Sequence, residues 1–289
     1  MAELDASRSG TFSIGGDLKV NRLGFGAMRI TGKGIWGPPA DLDEAKRTLA
    51  RLPEIGVDFV DTAESYGPYI SEELIGEVLA PYAKGTIIAT KSGLTRTGPD
   101  QWSQLARPEF LRQAVTQSLR RLKLEVLDLW QLHRIESVTP RADQFGAIAD
   151  MQKNGLIRHV GLSEVSVEDI KEAQKYFKVT TVQNMYNLVS RKAEDVLDYC
   201  EANGIGFIPW RPIDGGNLAA TSVEFKTIME KHNASASQIA LAWMLKRSPV
   251  MLPIPGTGSV KHLEENVGAA SIELSDAEFK TLDAVGRKG

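Results

Sequence analysis

A single cysteine, Cys200, stands among the 289 residues. With no second thiol it forms neither an internal disulfide nor a cysteine-based metal site, and it suits a reducing compartment. No apolar run approaches the roughly 18 residues that suggest a membrane span. The start, Met1-Ala2-Glu3-Leu4-Asp5, is acidic and lacks the basic and then apolar pattern of a secretory signal. Basic charge is not in excess either, because 34 Lys and Arg face 37 Asp and Glu, a net −3. That balance argues against a general nucleic-acid binder or a polybasic membrane protein. His159, His232 and His262 are scattered, without an HExxH pattern, so no metal is expected. Low-complexity segments, Pro/Ser-rich linkers and fixed-period repeats are missing too. These absences leave a cytoplasmic protein of one domain over residues 1–289, with no nucleic-acid or membrane partner and an oligomeric state that the sequence does not specify.

What is present is an ordinary globular composition, 42% hydrophobic and 25% charged. Its pattern alternates two element types. Short runs rich in β-branched residues predict strands at 23–26, 57–61, 86–91, 126–133, 159–163, 180–184, 206–210 and 250–254. Between them apolar residues recur at spacings of three and four. Ala45, Leu49 and Leu52 mark the first helix, with Asp43 as its cap. Leu74, Ile75, Val78, Leu79 and Tyr82 form the next apolar face. Leu111, Ala114, Val115, Leu119 and Leu122 form another, opened by Pro108 and Glu109. Eight units from Arg22 onward average about 33 residues, near the length of a βα repeat. Strict alternation with few insertions predicts an α/β fold, a closed (β/α)8 TIM barrel with a parallel sheet. Thr11 to Asn21, centred on Gly15-Gly16-Asp17, reads as an N-terminal β-hairpin. Ser275-Asp276-Ala277-Glu278 reads as the cap of a C-terminal extra helix.

Active sites of such barrels lie at the C-terminal ends of the strands. There the predicted strands end in Asp61, Lys91, His133 and Gln183-Asn184, three ionisable groups on three strand ends facing one cavity. Tyr66 follows in the loop after Asp61. A tyrosine ordinarily titrates near pH ~10, so an adjacent Lys91 ammonium is expected to lower it, with Asp61 holding Lys91. An acid beside His133 suits protonation of a carbonyl oxygen, and hydride from a nicotinamide supplies the missing nucleophile. Each residue has a plainer reading: a loop start for Asp61, an ion pair for Lys91, a core histidine for His133, loop packing for Tyr66. The shared strand-end position favours function. Gly24-Phe25-Gly26-Ala27-Met28-Arg29 starts like a dinucleotide fingerprint, but Arg29 stands where the third glycine belongs and no helix follows. Trp130 and Trp243 read as core, Trp36, Trp102 and Trp210 as pocket candidates, and Arg120, Arg121 and Lys123 as a solvated helix face.

These residues resemble a known family, the aldo-keto reductases. Gly56-Val57-Asp58-Phe59-Val60-Asp61-Thr62-Ala63 with Tyr66-Gly67, Ala89-Thr90-Lys91, Leu132-His133-Arg134, Arg158 to Ser163 and Ile254-Pro255-Gly256-Thr257 match its motifs in order. The Gly161-Leu162-Ser163-Glu164-Val165 and Ile208-Pro209-Trp210 versions are similar to a bacterial branch with pyridoxal-reductase-like members. The resemblance implies an NADPH-dependent reductase of aldehydes or ketones, with NADPH/NADP+ as cofactor and a small-molecule carbonyl as substrate. It implies Tyr66 as general acid, Lys91 tuning it, Asp61 supporting Lys91, and His133 orienting the carbonyl. Ser163 and Gln183 would hold the nicotinamide carboxamide and Trp210 would stack on its ring. Gly26, Ala27 and Met28 would approach from the first loop. Ile254, Gly256, Thr257, Ser259, His262, Glu265 and Asn266 would bind the adenosine end, with helix-start amides receiving phosphate. Glu164 stands where asparagine often contacts the carboxamide, and Arg211 replaces a common serine and is expected at the pyrophosphate. Met28, Trp36, Trp102 and Arg134 are expected to line the substrate pocket, for an aromatic or pyridoxal-like aldehyde. Arg134 has an alternative, a salt bridge to Glu136. Two other classes remain open: a Schiff-base aldolase using Lys91, and a nucleotide-sensing module without turnover.

Overall fold

The computed structural model describes residues 4–213 and 222–287. A hairpin of β1 (Thr11–Ile14) and β2 (Leu18–Asn21) comes first, antiparallel with Thr11 opposite Asn21, as the sequence predicts. Its turn needs glycine. Gly15 has φ +68°, and a Cβ there would lie 2.1 Å from the His159 ring. The following strands are β3 (Phe25–Gly26), β4 (Phe59–Asp61) and β5 (Ile87–Ser92). A second hairpin, β6 (Leu94–Gly98) and β7 (Gln101–Gln104), precedes β8 (Leu127–Leu132), β9 (Ile157–Ser163), β10 (Val179–Gln183) and β11 (Gly206–Phe207). The helices between them are α1 (Leu42–Arg51), α2 (Ile70–Val78), α3 (Pro108–Leu122), α4 (Arg141–Lys153), α5 (Val167–Ala173) and α6 (Glu194–Asn203). After β11 come α7 (Val223–His232), α8 (Ala236–Arg247), α9 (Val260–Gly268) and α10 (Asp276–Gly286).

Strands β3, β4, β5, β8, β9, β10 and β11 pair in parallel in that order. Residues 250–256 take the eighth place and join the two edges. Leu252 donates its amide to Phe207 O at 2.8 Å on one side, and Gly24 donates to Pro253 O at 2.9 Å on the other. The predicted strand 250–254 forms no regular ladder, because Pro253 and Pro255 have no N–H and pair through their carbonyls alone. The (β/α)8 architecture stands. No helix among the described residues is long and apolar enough to cross a membrane.

Period-two alternation sorts each strand into two faces. Val60, Ile88, Trp130 and Val182 join the large core under the helices. Phe59, Ile87, Ala89, Leu129, Ile208 and Leu252 form a second cluster with Ile14, Leu18 and Val20 of the hairpin. This second cluster fills the barrel's lower interior. Asp61, Lys91, Gln131 and Gln183 are in phase with those inward residues and come later on their strands. The same register that makes an apolar floor therefore sets four polar side chains above it.

Several local expectations change. Asp41, not Asp43, caps α1, its side chain accepting from Glu44 N at 2.8 Å; Asp43 sits in the first turn. Helix α2 stops at Val78, so Tyr82 lies beyond it and donates its hydroxyl to Leu122 O at 2.6 Å. Arg121 is not on a solvated face, for it donates to buried Glu72 at 2.7 Å and stacks on Tyr69. Trp102 lies on β7 of a hairpin that the strand pattern does not predict. The Pro99-Asp100 turn and the alternation before it were the available signal. Pro108 opens α3, and Ser275 and Glu278 form a capping box on α10, both as expected. Trp130 and Trp243 are fully buried.

Candidate active site

The four strand-end residues meet. Lys91, 0% exposed, donates its ammonium to Asp61 Oδ2 and to Thr62 O, each at 2.6 Å. Its third contact is the Tyr66 hydroxyl at 3.4 Å. The other Asp61 oxygen accepts from Gln131 Nε2 at 3.1 Å and Gln183 Nε2 at 2.9 Å. Gln131 is absent from the sequence reading; its place two residues before His133, in phase with Leu129, was the signal. The His133 ring stands edge-on to Tyr66, centroids 6.0 Å apart, with Nδ1 3.4 Å from Ser65 Oγ.

Burial alone would depress the Lys91 ammonium, but Asp61 and Tyr66 together raise it above its ordinary value. A charged, three-contact ammonium is a poor Schiff-base nucleophile, which counts against an aldolase. Burial also dominates at Tyr66. It pushes the phenol above its ordinary value although Lys91 pulls the other way, so the expected lowering does not occur in the chain by itself. The phenol holds its proton at neutral pH, with a cation 3.4 Å away ready to stabilise a phenolate. Burial, then Lys91 and Arg134, hold His133 well below the usual histidine range, so its imidazole is neutral. The arrangement can place a proton on an oxygen lying between Tyr66 and His133.

These groups open onto a cleft of about 690 Å³ lined also by Gly26, Met28, Trp102, Ser163, Trp210 and Arg211. Arg134, Ile254 and Gly256 of the sequence reading line it as well. Trp36 and Ala27 do not. Ala27 is core, and Trp36 pairs with Gly67 behind the wall. Thr257, Ser259, His262, Glu265 and Asn266 continue from Gly256 into α9 and stand off this lining. The Val260 amide at that helix start already holds Glu44 Oε1 at 2.9 Å, so this amide is not open to phosphate. Arg134 makes no salt bridge to Glu136, whose buried carboxylate accepts from Ala106 N and Thr139 Oγ1. It donates instead to Ser163 Oγ at 3.0 Å and to the His133 carbonyl. Arg29, which spoils the glycine fingerprint, lines the cleft as an exposed cation.

The loop that carries Tyr66 holds a further buried acid, Glu64. Burial, then the neighbouring Glu72 carboxylate, push it up to about 8. The folded carboxyl therefore keeps a proton that the unfolded chain has lost above the ordinary value of 4.5. Stability contributed by this group falls as pH rises from there to about 8. Glu64→Gln should flatten that fall and raise stability at neutral pH by roughly 1–3 kcal/mol, read from urea midpoints on either side of the transition. An unchanged pH dependence would remove Glu64 as its source.

Barrel, polar layer and open cleft define a (β/α)8 protein whose site is built for proton transfer at a buried oxygen. The sequence profile of the Aldo/keto reductase family matches residues 22–287. The chain belongs to that family and is an NADP-dependent oxidoreductase. It is 58% identical over 98% of its length to an uncharacterized oxidoreductase of Schizosaccharomyces pombe, covering 92% of that protein. It is 38% identical over 97% of its length to the pyridoxine 4-dehydrogenase of Escherichia coli, covering 99%. Among solved structures it is similar to the glycerol dehydrogenase of Gluconobacter oxydans. That likeness has a TM-score of 0.86 and 28% identity, and it covers 96% of this chain and 95% of that one.

The cleft fits a nicotinamide. Ser163 Oγ accepts from Arg134, which leaves its own proton to donate. Gln183 uses its NH2 group on Asp61, which leaves its carbonyl to accept. One donor and one acceptor on adjacent strand ends are what a primary carboxamide requires. Glu164, at the place where asparagine often stands, is tied to its neighbours through Oε1. Its carboxylate accepts from Met185 N at 2.7 Å and from the Trp210 indole N–H, fixing the flat ring at the cleft edge.

Proposed function

We propose that the protein reduces an aromatic or heteroaromatic aldehyde of the pyridoxal kind, using NADPH. The observation that carries this is the Asp61–Lys91–Tyr66 chain beside neutral His133 at the base of the cleft. When bound, the nicotinamide would supply hydride to the carbonyl carbon. Tyr66 gives its proton to the carbonyl oxygen, and the alcohol leaves with both. Lys91 stabilises the phenolate that results, and Asp61 holds Lys91 in place. His133 orients the carbonyl by a hydrogen bond rather than a charge. Ser163 and Gln183 would hold the carboxamide, and Trp210 would offer its flat ring to the nicotinamide. Gly26, Met28, Ile254 and Gly256 would form the cofactor's near wall, and Arg29 and Arg211 would meet its phosphates. Ser259 and His262, together with exposed Lys261, would hold the adenosine phosphate, while the Val260 amide stays with Glu44.

On the substrate side, Met28 and Trp102 offer apolar and aromatic surface. Arg134 uses one nitrogen on Ser163 and His133, and its other N–H groups have no hydrogen-bond partner among the described residues. That edge suits an anionic or phenolic substituent beside the aldehyde, as pyridoxal carries, and the likeness to a pyridoxine 4-dehydrogenase supports it.

The test follows NADPH consumption with pyridoxal, salicylaldehyde and benzaldehyde. Arg134→Gln should raise KM for the first two by about tenfold or more beyond whatever loss it shares with benzaldehyde through Ser163 and His133. Equal losses on all three would remove Arg134 from substrate choice. No turnover of any aldehyde would sink the reading as a whole.

A further inference from the structure

Arg96, on β6, takes no part in the chemistry above, yet its guanidinium joins three separate loops of the site. Its Nε donates to Gln101 O at 2.9 Å, and Nη2 donates to Gly98 O at 3.2 Å, both in the β6–β7 hairpin. Nη2 also reaches Gly34 O at 2.8 Å, and Nη1 reaches Ile35 O at 2.7 Å, in the loop after β3. Nη1 donates finally to Ser65 O at 3.0 Å, in the loop between β4 and α2. Five contacts use the full fork of an arginine, and every one ends on a backbone carbonyl. It forms no close ion pair among the described residues; the Asp100 charge acts on it only at longer range, and the carbonyls set its position. The face of the guanidinium lies 3.6 Å from the centre of the Trp102 ring, with Trp36 at 5.8 Å.

Ser65 connects this hub to the reacting groups. It directly precedes Tyr66, and its hydroxyl is the hydrogen-bond contact of the His133 ring. Trp102 connects the hub to the substrate wall. Without the guanidinium, five carbonyls would converge on an empty centre and the three loops would separate or refill it with water.

Resting on the reading of Tyr66 and His133 as the reacting pair, we propose that Arg96 is a positioning residue for carbonyl reduction, clamping Ser65 so that the phenol and imidazole converge on one oxygen. Its geometry matters rather than its charge, because a lysine ammonium lacks the planar fork that reaches five carbonyls.

The experiment compares wild type, Arg96→Ala, Arg96→Lys and Tyr66→Phe for NADPH oxidation with a fixed aldehyde, alongside NADP+ affinity by fluorescence. Arg96→Ala should lose kcat by on the order of 100-fold, the scale of a small misplacement of reacting groups. NADP+ affinity should fall much less than kcat, since Ser163, Gln183, Trp210 and the stretch 250–256 lie outside the loops that Arg96 ties. Arg96→Lys should be nearly as slow. Guanidinium chloride, well below denaturing concentration, should restore at least a tenth of the lost rate in Arg96→Ala, and methylammonium should not. A general structural weakening would not show that chemical selectivity. Wild-type kcat in either Arg96 variant overturns the proposal, as does a folded Arg96→Ala that guanidinium fails to rescue. If Arg96→Ala does not fold, the rate of Arg96→Lys decides. Should Tyr66→Phe turn over normally, the catalytic reading fails; should Tyr66→Phe alone be slow, the Arg96 proposal fails by itself.

Discussion

Tyr66→Phe should fold as the wild type does and turn over about 10²–10⁴ times more slowly, the range associated with losing a positioned acid. The phenyl ring keeps its edge contact with His133, and only the hydroxyl beside Lys91 is removed. The loss should appear in kcat and kcat/KM together, with cofactor affinity unchanged, because the proton is transferred only in the transition state. The pH profile adds a second check. Burial raises the phenol above its ordinary 10.0, so the alkaline decline due to Tyr66 lies beyond that value. A step near pH 8 that persists in the variant belongs to Glu64 instead. Equal rates for both proteins would remove Tyr66 from the mechanism.

Lys91→Met should be the most destabilising single change in the site. It leaves the Asp61 carboxylate buried with its 2.6 Å cation gone, and the Thr62 carbonyl without a donor. Breaking a buried pair from one side costs about 3–5 kcal/mol, more than the pair itself contributes. Chemical denaturation should register the loss, and the double variant Asp61→Asn with Lys91→Met should recover part of it. In the wild type the raised Lys91 ammonium contributes stability throughout the neutral range. That contribution is lost only as pH climbs past the ordinary 10.5 and through the higher folded value. A Lys91→Met variant as stable as wild type would mean that Asp61 finds another partner.

Much of this site was legible because strand register is a local property. Asp61, Lys91 and His133 each close an apolar run, and period two then fixes which barrel face they share. Fold class followed from alternation alone, and the terminal hairpin and α10 cap from turn and capping chemistry. What escaped depended on distant chain segments. Gln131 is a polar residue within a strand until Asp61 arrives from two strands away. Arg96 looks like a surface charge until three loops bring their carbonyls to it. The direction of the Tyr66 shift escaped for another reason. Sequence names the neighbouring cation but not the depth of burial, and burial is the larger effect.

The division of labour around the barrel has a consequence for how such a protein can diverge. The proposed proton machinery stands on β4, β5 and β8, while β9, β10, β11, the stretch 250–256 and β3 with its following loop carry the proposed cofactor wall. The two arcs meet chiefly through Asp61, whose one oxygen serves Lys91 and whose other serves Gln183. A lineage can therefore drift in coenzyme preference along one arc while the other stays fixed, and Asp61 is the position where neither history can be rewritten alone.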